Sequence, residues 1–303
     1  MALILGEDMF GGGAPGRRYL DRMPFRLERS PADRMWRMAP GGAMNQGLLD
    51  PIPIGIVFIL FIVISLLCFE VGFRVGVWWQ AREPGEQEGP TDLLVGSLLG
   101  LIAFILAITM GLAVDRHDAR RALVVEEANA IATAYQRADY LPTADAEQLK
   151  ELLRAYLPLR IVEDPNEVPA NIVKSADLAQ QMWTIQARVA QTGYYSDLMS
   201  SLGESLNEIV TVSEQRIVAG VYTRVPQPIT LLLLGGSALS LAMVGYSAGL
   251  KGRRSVLTAS VLIVVIGVVT ILVVDLDRPQ EGLLNVNQQA LLDVQRWIGP
   301  PTP

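Results

Sequence analysis

The sequence predicts an all-α membrane protein: four transmembrane helices with an extramembrane antiparallel helical bundle inserted between the second and third spans. Three observations carry this prediction. Of 303 residues, 50% are hydrophobic and only 18% are charged, against roughly a quarter charged in an average soluble domain. Four charge-free stretches reach about the ~20 residues a bilayer crossing needs. The polar interval between the second and third of them follows the helical period.

The first span is read at 51–79. Its core, PIPIGIVFILFIVISLLCF, is free of charge, and it continues past Glu70 and Arg74 to Trp78 and Trp79. Glu70 and Arg74 stand four apart, which lets them pair across one turn. The adjacent tryptophans suit the headgroup layer. The second span covers 93–114 and the third 229–250, the latter entered through Pro226 and Pro228. The fourth covers 255–274 and stops at Asp275-Leu276-Asp277-Arg278-Pro279. No ionisable residue lies inside spans two, three or four. Proton-coupled pumps and intramembrane hydrolases depend on such groups, so both classes are disfavoured. Gly96 with Gly100, and Gly235 and Gly236 with Ser240, are candidate packing seams, because small residues let helix backbones approach.

Residues 115–225 read as a soluble helical domain. Val124, Ala128, Ile131 and Tyr135 share one face, and no Gly or Pro separates them from span two. That span therefore continues as one helix to about residue 140. Leu141-Pro142-Thr143 breaks it, with Thr143 as the expected N-cap of the next helix. Two further helices follow the loop at 164–169, one marked by Leu178, Met182, Ile185 and Val189. The other is marked by Leu198, Leu202, Leu206 and Ile209. Residues 275–303 form a polar motif and an amphipathic tail, in which Leu283, Val286, Ala290, Val294 and Trp297 share a face. That tail suits either the membrane surface or the side of the bundle.

Two polar segments border the membrane. Arg116, Asp118, Arg120 and Arg121 leave span two, and Asp275, Asp277 and Arg278 end span four. Together they form a candidate interfacial charge belt. Functionally it reads as a vestibule that concentrates an ion; structurally it reads as snorkelling arginines with pairs such as Asp118 and Arg121. Asp275 and Asp277 oppose the dipole of the helix they end, so cations should offset them. Arg278 is one candidate, and a pairing of Asp277 with Arg120 or Arg121 is another.

Several classes are excluded. A net charge of −6 argues against nucleic-acid partners. One cysteine (Cys68) and one histidine (His117) provide no disulfide, metal or cofactor site. Without a nucleophile–base pair or a phosphate loop, no enzyme is expected and no catalytic residue is assigned. Glu126 and Glu127 are neighbours on a helix, so they point about 100° apart and face no common site.

Four spans place the 115–225 domain and both termini on one membrane face. The Arg82 loop and the Lys251-Gly252-Arg253-Arg254 turn fall on the other. That basic turn favours the cytoplasm for its own face. Seven arginines in the first fifty residues and the belt itself favour the reverse. Residues 1–50 read as a disordered lead, with Met44 as an alternative true start.

Three long strings resemble a known family: DARRALVVEEANAIATAYQRADYLP (118–142), GYSAGLKGRRS (245–255) and DLDRPQEGLLNVNQQALLD (275–293). With LLDPIP and EVGFRVG around span one, the chain is similar over about 44–295 to the bacterial bestrophin-like membrane proteins, a domain of unknown function. The resemblance implies four spans with a helical domain between the second pair. It implies a bacterial inner-membrane location, and because no catalytic or ligand residues are established for the family, none is carried over. In many members a short basic loop follows span one, whereas WWQAREPGEQEG here carries one Arg and three Glu. The family name implies a remote likeness to anion channels, although their aromatic pore-neck pattern is not found here. Two functions follow as expectations. One is an oligomeric, channel-like anion protein; the other is a membrane-anchored sensor or scaffold whose helical domain binds a partner. The lipid bilayer and further copies of the chain are the expected partners.

Overall fold

A computed structural model describes residues 52–82, 88–193, 197–223, 225–252, 254–278 and 284–301. The lead at 1–50, including Met44, and Leu283 of the tail lie outside the described residues. Within them the secondary structure is helical, with no strand. In chain order the α-helices are α1 (Ile54–Arg82), α2 (Glu88–Arg137), α3 (Thr143–Arg160), α4 (Val168–Gln191), α5 (Asp197–Ile217), α6 (Gln227–Leu250), α7 (Val256–Asp277) and α8 (Gln289–Ile298). A π-helical turn, Val218–Tyr222, separates α5 from α6.

Four helices, α1, α2, α6 and α7, are long and apolar enough to cross a membrane. Their shared core includes Phe61 and Phe69 of α1, Ile102 and Leu106 of α2, Leu241 of α6 and Ile263 of α7. Three hydroxyls in these helices bond their own backbone: Ser97 Oγ donates to the Leu93 carbonyl at 2.8 Å, and Thr109 and Thr270 do the same one turn back. This spares each hydroxyl an unsatisfied position in hydrocarbon.

The closest helix contact is between α1 and α6. A Cβ on Gly72 would fall 1.9 Å from the Ala242 carbonyl oxygen, and one on Gly245 would fall 2.1 Å from that of Phe69. Gly76 and Gly249 repeat the arrangement one turn on, at 2.3 Å from the carbonyl oxygens of Tyr246 and Phe73. The backbones meet because both helices carry glycine at this spacing. The seams expected at Gly96 with Gly100, and at Gly235, differ: beyond the helix's own backbone, no atom of the described residues comes within 4 Å of a Cβ built there. Gly236 alone among them is approached, by the Ile102 side chain.

A second core lies beyond the apolar half of α2. The later turns of α2 contribute Val124, Ala128 and Ile131, and α3 to α5 contribute Leu149, Met182 and Leu202 among others. α3 begins at Thr143 with Pro142 in the cap position, so Thr143 is the first helical residue rather than the N-cap. Proline is tolerated there because the amide at the cap position makes no intrahelical hydrogen bond. α4 is capped by Thr192, and Gly193 follows at φ 81°, a conformation that favours glycine. The tail packs on this core: Leu291 of α8 is fully buried, and the Trp297 ring meets the Tyr135 ring edge-on at 5.6 Å. Arg154 Nε also donates to the Ile298 carbonyl at 3.0 Å, anchoring the end of α8.

Candidate functional site

The charge belt assembles where α2 passes the end of α7. Arg120, nearly buried, donates from Nη2 to the Leu276 carbonyl at 3.1 Å. A guanidinium on a last-turn carbonyl satisfies an acceptor left open by the helix end and complements its dipole. Asp277 lies beside Arg116, with 3.8 Å between Nη1 and Oδ1. The same Oδ1 accepts the Val225 amide at 2.7 Å, which fastens the chain entering α6 to the end of α7. The charge partner found for Asp277 is therefore Arg116, one turn earlier than the expected Arg120 or Arg121. Asp275 is buried and accepts the Leu284 amide at 3.0 Å, while Arg278 donates to the Ile52 carbonyl at 2.9 Å.

Asp118 and Arg121 are different. Both are exposed, and among the described residues no ion pair joins them. The seven belt residues thus divide into a packed group, Arg116, Arg120, Asp275, Asp277 and Arg278, and two that face outward from α2.

Deeper in the helical domain is a charge cluster that the sequence reading missed. Glu127 has no exposed surface. Its Oε1 lies 2.5 Å from Arg160 Nε, and its Oε2 lies 2.5 Å from Arg216 Nη1. The Tyr156 hydroxyl donates to Oε1 at 3.5 Å, and Arg160 Nη1 donates to Ser175 Oγ at 3.4 Å. Burial by itself would raise the Glu127 carboxyl, but the charges and hydrogen bonds of Arg160 and Arg216 outweigh it. The result lies below the usual carboxylate value. Burial raises Tyr156 to about 12. Glu127 and the two arginines form a structural ion cluster holding α2, α3 and α5. A signal for it existed in the sequence. Glu127 falls within the apolar stripe of Val124, Ala128 and Ile131, and a carboxylate on a buried face demands cations.

At the other end of the four apolar helices, Asp92 of α2 accepts from Lys251 Nζ at 2.5 Å and from Ser247 Oγ at 2.7 Å, joining the start of α2 to the end of α6. Glu70 bonds Arg74 at 2.9 Å on its own helix and also pairs with Arg254 before α7.

The Bestrophin-like domain family model matches residues 66–291, three-quarters of the chain and most of both cores. The chain belongs to the Bestrophin-like family. Crystal structures of a bacterial Bestrophin homolog from Klebsiella pneumoniae share its fold. A point variant of that protein aligns at TM-score 0.62 and 17% identity, covering 84% of this chain and 97% of the other. The same homolog, phased from zinc, aligns at TM-score 0.57 and 16% identity over 80% and 95%. No curated protein sequence matches the chain. The Bestrophin-like fold with four apolar helices makes this a multi-pass membrane protein, and both the charge belt and the Glu127 cluster lie within the matched domain.

Proposed function

We propose that the protein is an oligomeric, channel-like protein of a bacterial inner membrane that passes anions, with the bundle from about 115 to 225 standing outside the bilayer. The observation that carries this reading is one face of α2. Gly96, Gly100, Ala103, Ala107 and Gly111 recur at helical spacing, and all are exposed. The opposite face, Ile102, Leu106, Thr109 and Ala113, is buried against the other membrane helices. The narrow face continues through Val114 to Asp118 and Arg121, the two belt residues that turn outward. Several copies arranged with this face inward would surround a path with small side chains in the bilayer and a charged mouth. Fixed charge at a mouth selects ions by sign. The shared fold with a bacterial Bestrophin homolog supports the same class, although fold alone does not carry function.

The test is flux from liposomes containing the purified full-length protein, together with its mass in detergent. An oligomer with chloride flux that falls in Arg121→Glu is expected. A monomer without flux would overturn the reading. It would instead favour the sensor or scaffold, which the unbroken 50-residue α2 linking the membrane to the bundle also suits.

A further inference from the structure

Where the helical domain meets the membrane helices there is a cavity of about 230 Å³. Its wall is drawn from six places in the chain: α2, the end of α3, the loop after it, α4, the end of α5 with the π-helical turn, and the strap leading to α8. Arg120, Arg160 and Arg216 all line it, and Arg120 and Arg160 are more than nine-tenths buried. Glu163, an exposed residue, is the carboxylate of the lining, while Glu127 lies behind Arg160 and Arg216. The bonds to Glu127 engage Nε of Arg160 and Nη1 of Arg216, and a guanidinium carries five N–H donors, so each retains others. Amides of Asn171, Asn285 and Gln288 complete the polar lining.

We propose that this cavity binds a small organic carboxylate of roughly the size of succinate. Three features select that class. Guanidinium groups match carboxylates in planar, two-point hydrogen bonding, which a spherical halide cannot use. The volume is below the ~300–1,000 Å³ of drug-sized sites yet far above the ~30 Å³ share of one water. The remaining wall, Val124, Leu159, Val168, Ile172, Ile217 and Val286, is aliphatic and suits a short carbon chain.

The site is also built to stay open. Gln288 is fixed by paired bonds to the backbone of Val162, 2.8 Å from its amide and 2.9 Å from its carbonyl. Arg160 and Arg216 are held from behind by Glu127, so they are oriented before a ligand arrives. Preorganised donors cost less ordering on binding. Position adds a consequence: Gly220, in the π-helical turn before α6, is part of the wall, as are Asn285, Val286 and Gln288, which lie between α7 and α8 in the chain. A ligand there would touch the connections to two membrane helices at once.

The site does not rest on the channel reading, and binding is measured without flux. Titration calorimetry on the detergent-solubilised full chain should show saturable binding of succinate, with inorganic phosphate and chloride as separate arms. Asn171→Asp and Asn285→Asp place a second carboxylate at the wall without touching the Glu127 cluster. Each should weaken succinate binding about tenfold or more while leaving the ligand-free melting temperature unchanged. No saturable succinate binding would overturn the proposal, as would phosphate or chloride binding as tightly as succinate. Undiminished binding in both variants would overturn it too.

Discussion

Glu127 on α2 and Arg160 on α3 meet at 2.5 Å with almost no exposure to solvent, and Arg216 of α5 closes the cluster from the other carboxylate oxygen. Removing one member of such a group is costly because the others stay buried and charged. Glu127→Ala is expected to cost about 3–5 kcal/mol. The check is thermal or denaturant unfolding of the full chain in detergent, where a change no larger than that of an exposed control such as Glu126→Ala would contradict the cluster's role.

The same carboxylate gives the helical domain an acid limit. Its folded pKa lies below the ordinary value of 4.5 because the two arginines outweigh the effect of burial. A depressed folded value means that the stabilisation is complete above about 4.5 and is lost as pH falls through the lower folded value. Melting temperature followed downward from neutral pH should therefore drop below about pH 4.5, and less steeply in Glu127→Gln than in the natural sequence. Parallel curves would assign the acid limit to other carboxylates.

Glycines of identical spacing should respond oppositely to added methyl groups. Gly72→Ala and Gly245→Ala each drive a Cβ to about 2 Å from a backbone oxygen of the facing helix, so α1 and α6 must separate. Overpacking of that kind costs about 1–3 kcal/mol or more. Gly96→Ala and Gly100→Ala meet nothing among the described residues and should leave the folded monomer intact. If copies do pack or conduct along that face, these two variants should instead change oligomer mass or flux.

Asp277 serves two partners, and substitutions separate them. Asp277→Asn keeps an acceptor for the Val225 amide and loses only the partly screened attraction to Arg116, about 1 kcal/mol or less. Asp277→Ala also strands the amide, at about 1–3 kcal/mol. The exchange Arg116→Asp with Asp277→Arg should consequently rescue only part of the loss from Asp277→Arg alone, since arginine accepts no hydrogen bond. Full rescue in a melting experiment would show that charge, not the Val225 bond, is the main contribution.

Much of the fold was legible because its signals are local. A charge-free run of bilayer length is read from one stretch of chain, and four such runs correspond to α1, α2, α6 and α7. Helical character between α2 and α6 was likewise readable from apolar spacing. The belt was nominated as a group because charge gathers where a helix leaves hydrocarbon, and five of its seven residues pack together. Which of them touch was not: Arg116, Arg120 and Arg121 lie within six residues, and only the rotation of α2 against α7 decides that Arg116 reaches Asp277 while Arg121 faces away. The divergence of Glu126 from Glu127 was also readable, and Glu126 is indeed exposed beside a buried Glu127. The partners of Glu127 were out of reach, at separations of 33 and 89 residues.

By itself, then, the sequence determined an all-α membrane protein with four apolar helices, because bilayer thickness imposes a length and a polarity on each segment independently of its neighbours. Tertiary structure decided which helices touch. Gly72 with Gly76, Gly96 with Gly100 and Gly245 with Gly249 are one motif in the sequence, yet only the first and third meet. Close approach needs small residues on both helices at the same height, and that coincidence belongs to a pair of helices, never to one.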